Sequence, residues 1–397
     1  MRWVRIMVLV VWLALGVRVD ALGCGPMLVL QTDMPGQGSD WGNSTQISLE
    51  DLDIEDIQQF LDNLESENVV DFSGMVQEIM SGNLAGVVEQ GAQSVKAALF
   101  AEIRTNTKLM GQIVVLALIG AMFSGFSGIF GSGHVSETGF YVVYILTMTF
   151  LSASFFASVE IAGAVTDRIL EFMKVLLPAY FMAVTMAGGA ITSASICGFT
   201  FGAIGVVQTV LSELLIPLTR IYMLMVLAGN LYKEDMISKL TELMENAITW
   251  TMKTMFGIVV GFHVIQGLVL PQADALKNAS VTRLAQMIPG VGAGAGAASQ
   301  MVMGAGVLIK NSAGVAAVVV LIVMAAVPLV KLVVLMVLYY MAGAVMQPVC
   351  DKRLVACLTG AASGHGLLIR IVGYSLALFV VTIAVLCAST NAVWYAG

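Results

Sequence analysis

From residue 109 onward the chain is a succession of long apolar runs separated by short polar stretches, and the run lengths predict membrane-spanning helices. Leu109 to Phe130 is long enough to cross a bilayer, and the polar loop Gly131 to Gly139 turns the chain into a second span, about Phe140 to Ala162. An amphipathic piece, Thr166 to Lys174, leads to Pro178. A small-residue segment, Ala183 to Gly205, follows, and then an apolar helix containing Pro217. Polar, mixed-charge Tyr232 to Lys253 reads as an interfacial stretch. The order then recurs: a span from Thr254 to Leu270, amphipathic Ala273 to Met287, Pro289, a small-residue segment opening at Gly292, and an apolar helix containing Pro328. Polar Asp351-Lys352-Arg353 precedes a last span, 366–388.

That recurrence has a sequence counterpart. Ile216-Pro217-Leu218-Thr219-Arg220 through Leu227 is echoed by Val327-Pro328-Leu329-Val330-Lys331 through Leu338, each with a cation three residues after a proline. Pro178 and Pro289 precede the two copies at one common spacing. An internal duplication is therefore expected, with units of about 143–253 and 254–364, the kind of self-similarity that decides a fold. If the small-residue segment crosses, each unit crosses three times and the units are inverted; if it re-enters, they are parallel. The balanced charge of 232–253 against the basic Lys352-Arg353 favours inversion, with the proline helices broken at corresponding places.

The N-terminus is built differently. Arg2 and Arg5, an apolar run from Ile6 to Val17 and a small-residue exit form a signal peptide over 1–23; the competing reading is a retained first helix. Ala21-Leu22-Gly23-Cys24 also hints at a lipoprotein box. Residues 24–105 then form an acidic segment expected outside the cytoplasm, with a turn-rich linker over 25–47 and amphipathic helices beginning near Ser48. Its function is either solubility and spacing or docking of another exported domain. The multispanning domain occupies 106–397.

Composition supports this all-α, polytopic membrane class: 58% of residues are hydrophobic, 11% are charged, and the mean hydropathy is +0.90. The net charge of −7 conceals an asymmetry. Residues 24–101 hold thirteen acidic side chains and one basic one, Lys96, so they carry 1 − 13 = −12 and the rest carries +5. Five cysteines without a Cys-x-x-Cys pair and three histidines far apart in sequence offer neither a disulfide framework nor a zinc site. No phosphate loop, nucleophile elbow or paired-carboxylate site is legible, and no cofactor, nucleic acid or catalytic activity is expected.

The candidate functional residues are polar groups inside apolar helices, where an unpaired charge costs about 2.5–3.5 kcal/mol. Arg220 and Lys331 are the first of these. Glu213 lies seven residues before Arg220, two α-helical turns away, and is its obvious partner. Pro217 and Pro328 each remove a backbone donor that a cavity or neighbour must compensate. The pair Lys310-Asn311 completes the set. The alternative is that the cations snorkel to one interface and line nothing. Gly198/Gly202, Gly292/Gly296 and Gly360/Gly364 are spaced for close helix crossing, and no βαβ pattern supports a dinucleotide site at Gly292-Ala293-Gly294.

The signal peptide, the exported helical segment, Gln266-Gly267, the run Val307-Leu308-Ile309-Lys310-Asn311-Ser312-Ala313-Gly314 and Ala342 to Pro348 together resemble the stage III sporulation protein AE family of endospore-forming bacteria. The resemblance covers roughly residues 100 to 390 and brings no catalytic residues. It implies a multispanning protein of the mother-cell membrane around the forespore, within a channel complex that includes a secretion-type ATPase and ring-forming intermembrane proteins. Two roles follow as expectations: a permease-like or export-gate subunit, or a scaffold that assembles the channel and moves nothing.

Overall fold

The computed structural model describes residues 54–63, 71–81, single positions between 86 and 115, and 133–187, 189–231, 237–286, 292–348 and 350–391. The signal peptide, the linker and Pro289 lie outside the described residues, as do most of the acidic segment and all but Gly111 and Val115 of the span expected at Leu109 to Phe130. Every regular element described is helical. Two short helices, α1 (Ile54–Asp62) and α2 (Phe72–Met80), precede α3 (Gly133–Met186), α4 (Ala190–Gln208), a π-helical segment (Thr209–Leu215), α5 (Ile216–Gly229), α6 (Ser238–Gln286), α7 (Gly292–Met346) and α8 (Lys352–Asn391). Five stretches are long and apolar enough to cross a membrane: Tyr141–Met186, Ser193–Gly229, Ser238–Val269, Met303–Met346 and Lys352–Ala388.

Helices run on where proline and polarity predict breaks. Pro178 sits inside the 54-residue α3 and Pro328 inside the 55-residue α7, while the polar stretch expected at the interface opens α6. Packing outweighs the lost donor at Pro178, because Leu176, Leu177, Ala179, Tyr180 and Phe181 beside it are all buried. The chain turns instead at Gly189, whose N–H bonds the Val184 carbonyl at 3.0 Å, and Ser193 Oγ donates to the Phe181 carbonyl at 2.9 Å across the turn. Near Pro217 the helix does change character. Ile216 N–H reaches back five residues to Leu211, a wider turn that ends where Pro217 has no N–H to offer. The polar face of α3 meets this segment: Ser212 Oγ donates to Asp167 Oδ1 at 2.7 Å, and Lys174 Nζ to Gln208 Oε1 at 2.8 Å.

Contacts along the helices fix their directions. Tyr144 meets Leu227 and Gly163 faces Ile216, so α5 runs opposite to α3. Ser154 meets Tyr339, Gly314 faces Tyr180 and Gly306 faces Ala187, so α7 also opposes α3. Cys357, His365 and Cys387 meet Tyr144, Ser158 and Tyr180 in that order, which makes α8 parallel to α3. The Pro217 and Pro328 helices therefore point the same way. Arg353 Nη1 donates to the Leu231 carbonyl at 3.4 Å, which places the connection after α5 at the same end as the start of α8.

The inverted relation expected from the charge contrast does not hold. The reason is a count of crossings: α4 neither crosses alone nor re-enters, but continues through the π segment into α5. Each expected unit then contains two long helices, and an even number returns the chain to the side it left. At about 1.5 Å per residue, α3 and α7 are about 80 Å long, against about 30 Å of bilayer hydrocarbon, so both extend well beyond it.

The acidic segment uses its apolar faces internally. Ile57 and Leu61 of α1 and Phe72 and Val76 of α2 are buried in the common core, α1 against α3 and α2 against α7, with the Phe60 and Phe172 rings 6.0 Å apart. Asp71 caps α2 by accepting from Gly74 N–H at 2.9 Å, and Gln58 Oε1 accepts from Phe72 N–H at 2.9 Å, tying α1 to α2.

Of the glycine pairs, Gly360 and Gly364 do mark a close crossing. A Cβ on Gly364 would lie 2.8 Å from Phe155, and one on Gly360 would strike Val226. Gly198 and Gly202 face open space, and Gly292 and Gly296 lie where side chains are not described.

Cys350 sits in the connection before α8, where burial, and then the Asp351 charge beside it, push its thiol up. Little thiolate is present at neutral pH, so alkylation of Cys350 should accelerate as pH rises. Asp351→Asn should shift that profile to lower pH, and an unchanged profile would contradict the assignment.

Candidate functional site

The structure separates the polar residues singled out in the sequence. Glu213, Pro217 and Arg220 are exposed, and no ion pair joins Glu213 to Arg220. Glu213 lies in the π segment, where a turn consumes more residues, so a seven-residue spacing no longer brings two side chains onto one face. Arg220 stands on α5, whose main packing partners are α3, α6 and α8, whereas Lys331 and Pro328 are half-buried on α7. Lys310 alone is fully enclosed, at 0% exposure. Its charge acts on the Cys387 thiol, which accepts from the Tyr180 hydroxyl at 3.2 Å. Asn311 is half-buried, and its Oδ1 is enclosed without a hydrogen-bond partner.

Two buried histidines are held alike. His365 Nδ1 lies 2.8 Å from the Ala361 carbonyl one turn back, and Nε2 lies 3.0 Å from Ser158 Oγ on α3. His263 places Nδ1 2.9 Å from the Val259 carbonyl and Nε2 3.2 Å from Thr200 Oγ1 on α4. A carbonyl accepts only, so each ring carries a proton on Nδ1, and its Nε2 faces a hydroxyl whose single hydrogen is shared with a carbonyl one turn back on the hydroxyl's own helix, Ser154 for Ser158 and Ile196 for Thr200. Aromatic edges complete both sites, Phe155 at 5.3 Å from His365 and Phe199 at 5.4 Å from His263. A third interhelical knot joins Tyr144 to the Leu227 carbonyl at 2.6 Å and to Cys357 at 2.9 Å. These groups are satisfied by one another and pin helices together.

The accessible polar groups lie elsewhere. Arg370 Nη1 of α8 donates to Glu245 Oε1 of α6 at 3.0 Å, with the side chains 47% and 37% exposed. The Tyr222 hydroxyl of α5 interacts with the same carboxylate. Tyr340 of α7 meets Ser363 of α8 at 3.3 Å. Four helices thus contribute polar groups to one region.

Beside it opens a recess of about 270 Å³, whose polar lining comes from Asn230, Ser238, Thr241, Thr359 and Ser363. Thr241 lies one turn before Glu245 and Ser363 two turns before Arg370, so recess and ion pair share a face of each helix. Arg353 ties the connection after Gly229 to the start of α8 at the recess end.

Sequence reasoning missed this cluster. Glu245 read as part of a balanced interfacial stretch, and Arg370, inside the last span, was the available signal. Intramembrane charges mark function by default, and this pair satisfies that rule better than Arg220 does. Among the described residues no group of three or more His, Cys, Asp or Glu side chains is placed to hold a metal.

No solved structure matches the chain. The stage III sporulation protein AE of Bacillus subtilis (strain 168) is 20% identical over 286 residues, covering 72% of this chain and 72% of that protein. The family described as Stage III sporulation protein AE matches residues 70–390, which takes in α2 and all five long apolar stretches. The chain therefore belongs to the stage III sporulation protein AE family and is a membrane protein with a role in sporulation.

Proposed function

We propose that the chain is a membrane component of the mother-cell-to-forespore channel complex required for endospore development, and that it acts there as a permease-like or export-gate subunit. The observation that carries this reading is the recess beside the Glu245–Arg370 pair, built from α5, α6 and α8, all within stretches of membrane-spanning length. Its partners in this reading are membrane lipid, a secretion-type ATPase and ring-forming intermembrane proteins of the same complex. The two proline helices, running in one direction, agree with a parallel duplication.

The signal peptide over 1–23 exports residues 24–105, and the end bearing Lys352 and Arg353 faces the cytoplasm. Phe172, which α1 covers, lies 172 − 144 = 28 residues along α3 from the end marked by Tyr144, about 42 Å. That exceeds the hydrocarbon thickness of about 30 Å, so α1 clears the membrane on the far side. A cysteine at Ser44 in a Cys24-free chain should react with an impermeant thiol reagent on intact cells. Labelling only after lysis would overturn the topology.

The functional test compares spore formation and complex assembly at matched protein levels. Glu245→Gln and Arg370→Gln should each lower spore formation at least tenfold with assembly intact. Arg220→Leu should be silent, because its side chain is exposed on the outside of α5. The scaffold reading is favoured by that same exposed position. It predicts loss of assembly in every variant that loses spores.

A further inference from the structure

We propose that the recess and the Glu245–Arg370 pair form a binding site for a small zwitterion, a solute carrying one ammonium and one carboxylate or phosphate group. This names the solute class of the gate proposed above and rests on that reading for its role, although the binding itself is measurable without it.

The recess lining sets four hydroxyls and one amide among apolar Met225, Val226, Ile237 and Ala356 and holds no charged side chain, so its polar groups can solvate a solute without selecting a sign. One turn beyond Thr241 on α6 and two turns beyond Ser363 on α8 stand one carboxylate and one guanidinium, 3.0 Å apart. A lone anion bound to Arg370 would leave Glu245 uncompensated near an apolar bundle, and a lone cation would do the same to Arg370. A zwitterion exchanges one ion pair for two and keeps the site neutral.

Both heads are reachable, at 47% and 37% exposure, unlike the enclosed Lys310, His263 and His365. The guanidinium bonds Glu245 through one nitrogen, and its fork carries further donors that suit a carboxylate or phosphate. The Tyr222 hydroxyl also interacts with the Glu245 carboxylate and adds a polar group beside the place where an ammonium would dock. The volume of about 270 Å³ equals the liquid share of about nine waters, which limits the solute to roughly amino-acid size or to a lipid headgroup.

The test uses the full chain in phosphatidylglycerol nanodiscs, which contain no zwitterionic lipid, and titrates glycine, glycerophosphoethanolamine, acetate and methylammonium by calorimetry. Saturable binding of glycine or glycerophosphoethanolamine is expected, at least tenfold tighter than either singly charged probe. Preference for glycine assigns the site to a free solute, and preference for glycerophosphoethanolamine, whose phosphodiester carries one negative charge, assigns it to a headgroup. Glu245→Gln and Arg370→Gln should each weaken binding about tenfold or more.

The exchange of Glu245→Arg with Arg370→Glu should recover binding to within a few-fold, because the zwitterion reverses. This arm separates site chemistry from damage to the fold. Absence of saturable binding, equal binding of acetate, or indifference to both glutamine variants overturns the inference. Reduced sporulation in those variants without zwitterion binding would leave the gate standing and remove its ligand.

Discussion

Gly306→Leu should prevent the bundle from closing at the end where α3 turns into α4. A Cβ at Gly306 would lie 2.8 Å from Ala187 N, 2.9 Å from the Met186 carbonyl carbon and 3.1 Å from Ala187 Cα, all of them backbone atoms. Backbone at a helix end cannot swing aside as a side chain does, so α7 must move bodily away from α3. Even Gly306→Ala should cost about 1–3 kcal/mol as overpacking, and the leucine considerably more. Gly257 and Gly261 on α6 make the matched control, because nothing lies within 4 Å of a Cβ at either. Alanine there should be neutral or slightly stabilising, by about 0.5–1 kcal/mol from helix propensity. Thermal unfolding followed by size-exclusion chromatography distinguishes the two; equal shifts for Gly306→Ala and Gly261→Ala would show that the α3–α7 crossing is looser than described.

The second large effect is expected at His365. Its ring is 0% exposed and joins α8 to α3 through Ser158 and to α7 through Tyr339, whose ring lies 5.1 Å away. Truncation to alanine removes the ring from a closed core and leaves a cavity beside Phe155, at a cost of about 3–5 kcal/mol by analogy with other buried rings. Ser158→Ala removes one hydrogen-bonding group and should cost only about 1 kcal/mol, since the ring still fills its space. In His365→Ala, Ser158 Oγ retains the Ser154 carbonyl at 3.0 Å as a partner. The two substitutions should therefore be less than additive. Full additivity would mean that the Nε2 to hydroxyl contact contributes nothing.

Much of the architecture was legible because it follows from hydrophobic length. The helical class and the close approach at Gly360 and Gly364 rest on local rules, whereas the last span, expected at 366–388, is part of an apolar stretch that already begins at Lys352. Helix continuity was less legible. Pro178 and Pro328 are read from sequence as interruptions, yet buried neighbours around Pro178 hold α3 together, and α7 passes through Pro328 unbroken. The charge-based inference of inversion failed with them, since it depended on how many times the chain crosses.

None of the recess or ion-pair residues was among the polar groups singled out in the sequence. Lys310 is enclosed as an intramembrane charge should be, but Glu213 and Arg220 were paired on a spacing that holds only for an α-helix. Glu245 and Arg370 meet from positions 125 residues apart, and no local pattern announces such a meeting. The same holds for the histidines, whose kinship lies in their partners and not in their flanking sequence.

The π-helical segment between α4 and α5 also governs how those two helices are rotated against each other. A wide turn of this kind takes up one residue more than an α turn for about the same rotation, so it absorbs an extra residue and keeps α4 in phase with α5. Excising one residue from Thr209–Leu215 would restore uniform α geometry with the two helices nearly in register. A deletion within regular α4 after Thr200 would instead turn the start of α4 by about 100° against α5, so that Thr200 would swing away from His263 and Phe199 would leave its stack on Phe262, while Tyr222 kept its place beside Glu245. The segment is thus a phase-keeper: it lets one continuous strut present correct faces to two sets of neighbours, and a one-residue deletion there should be better tolerated than one between Thr200 and Gln208.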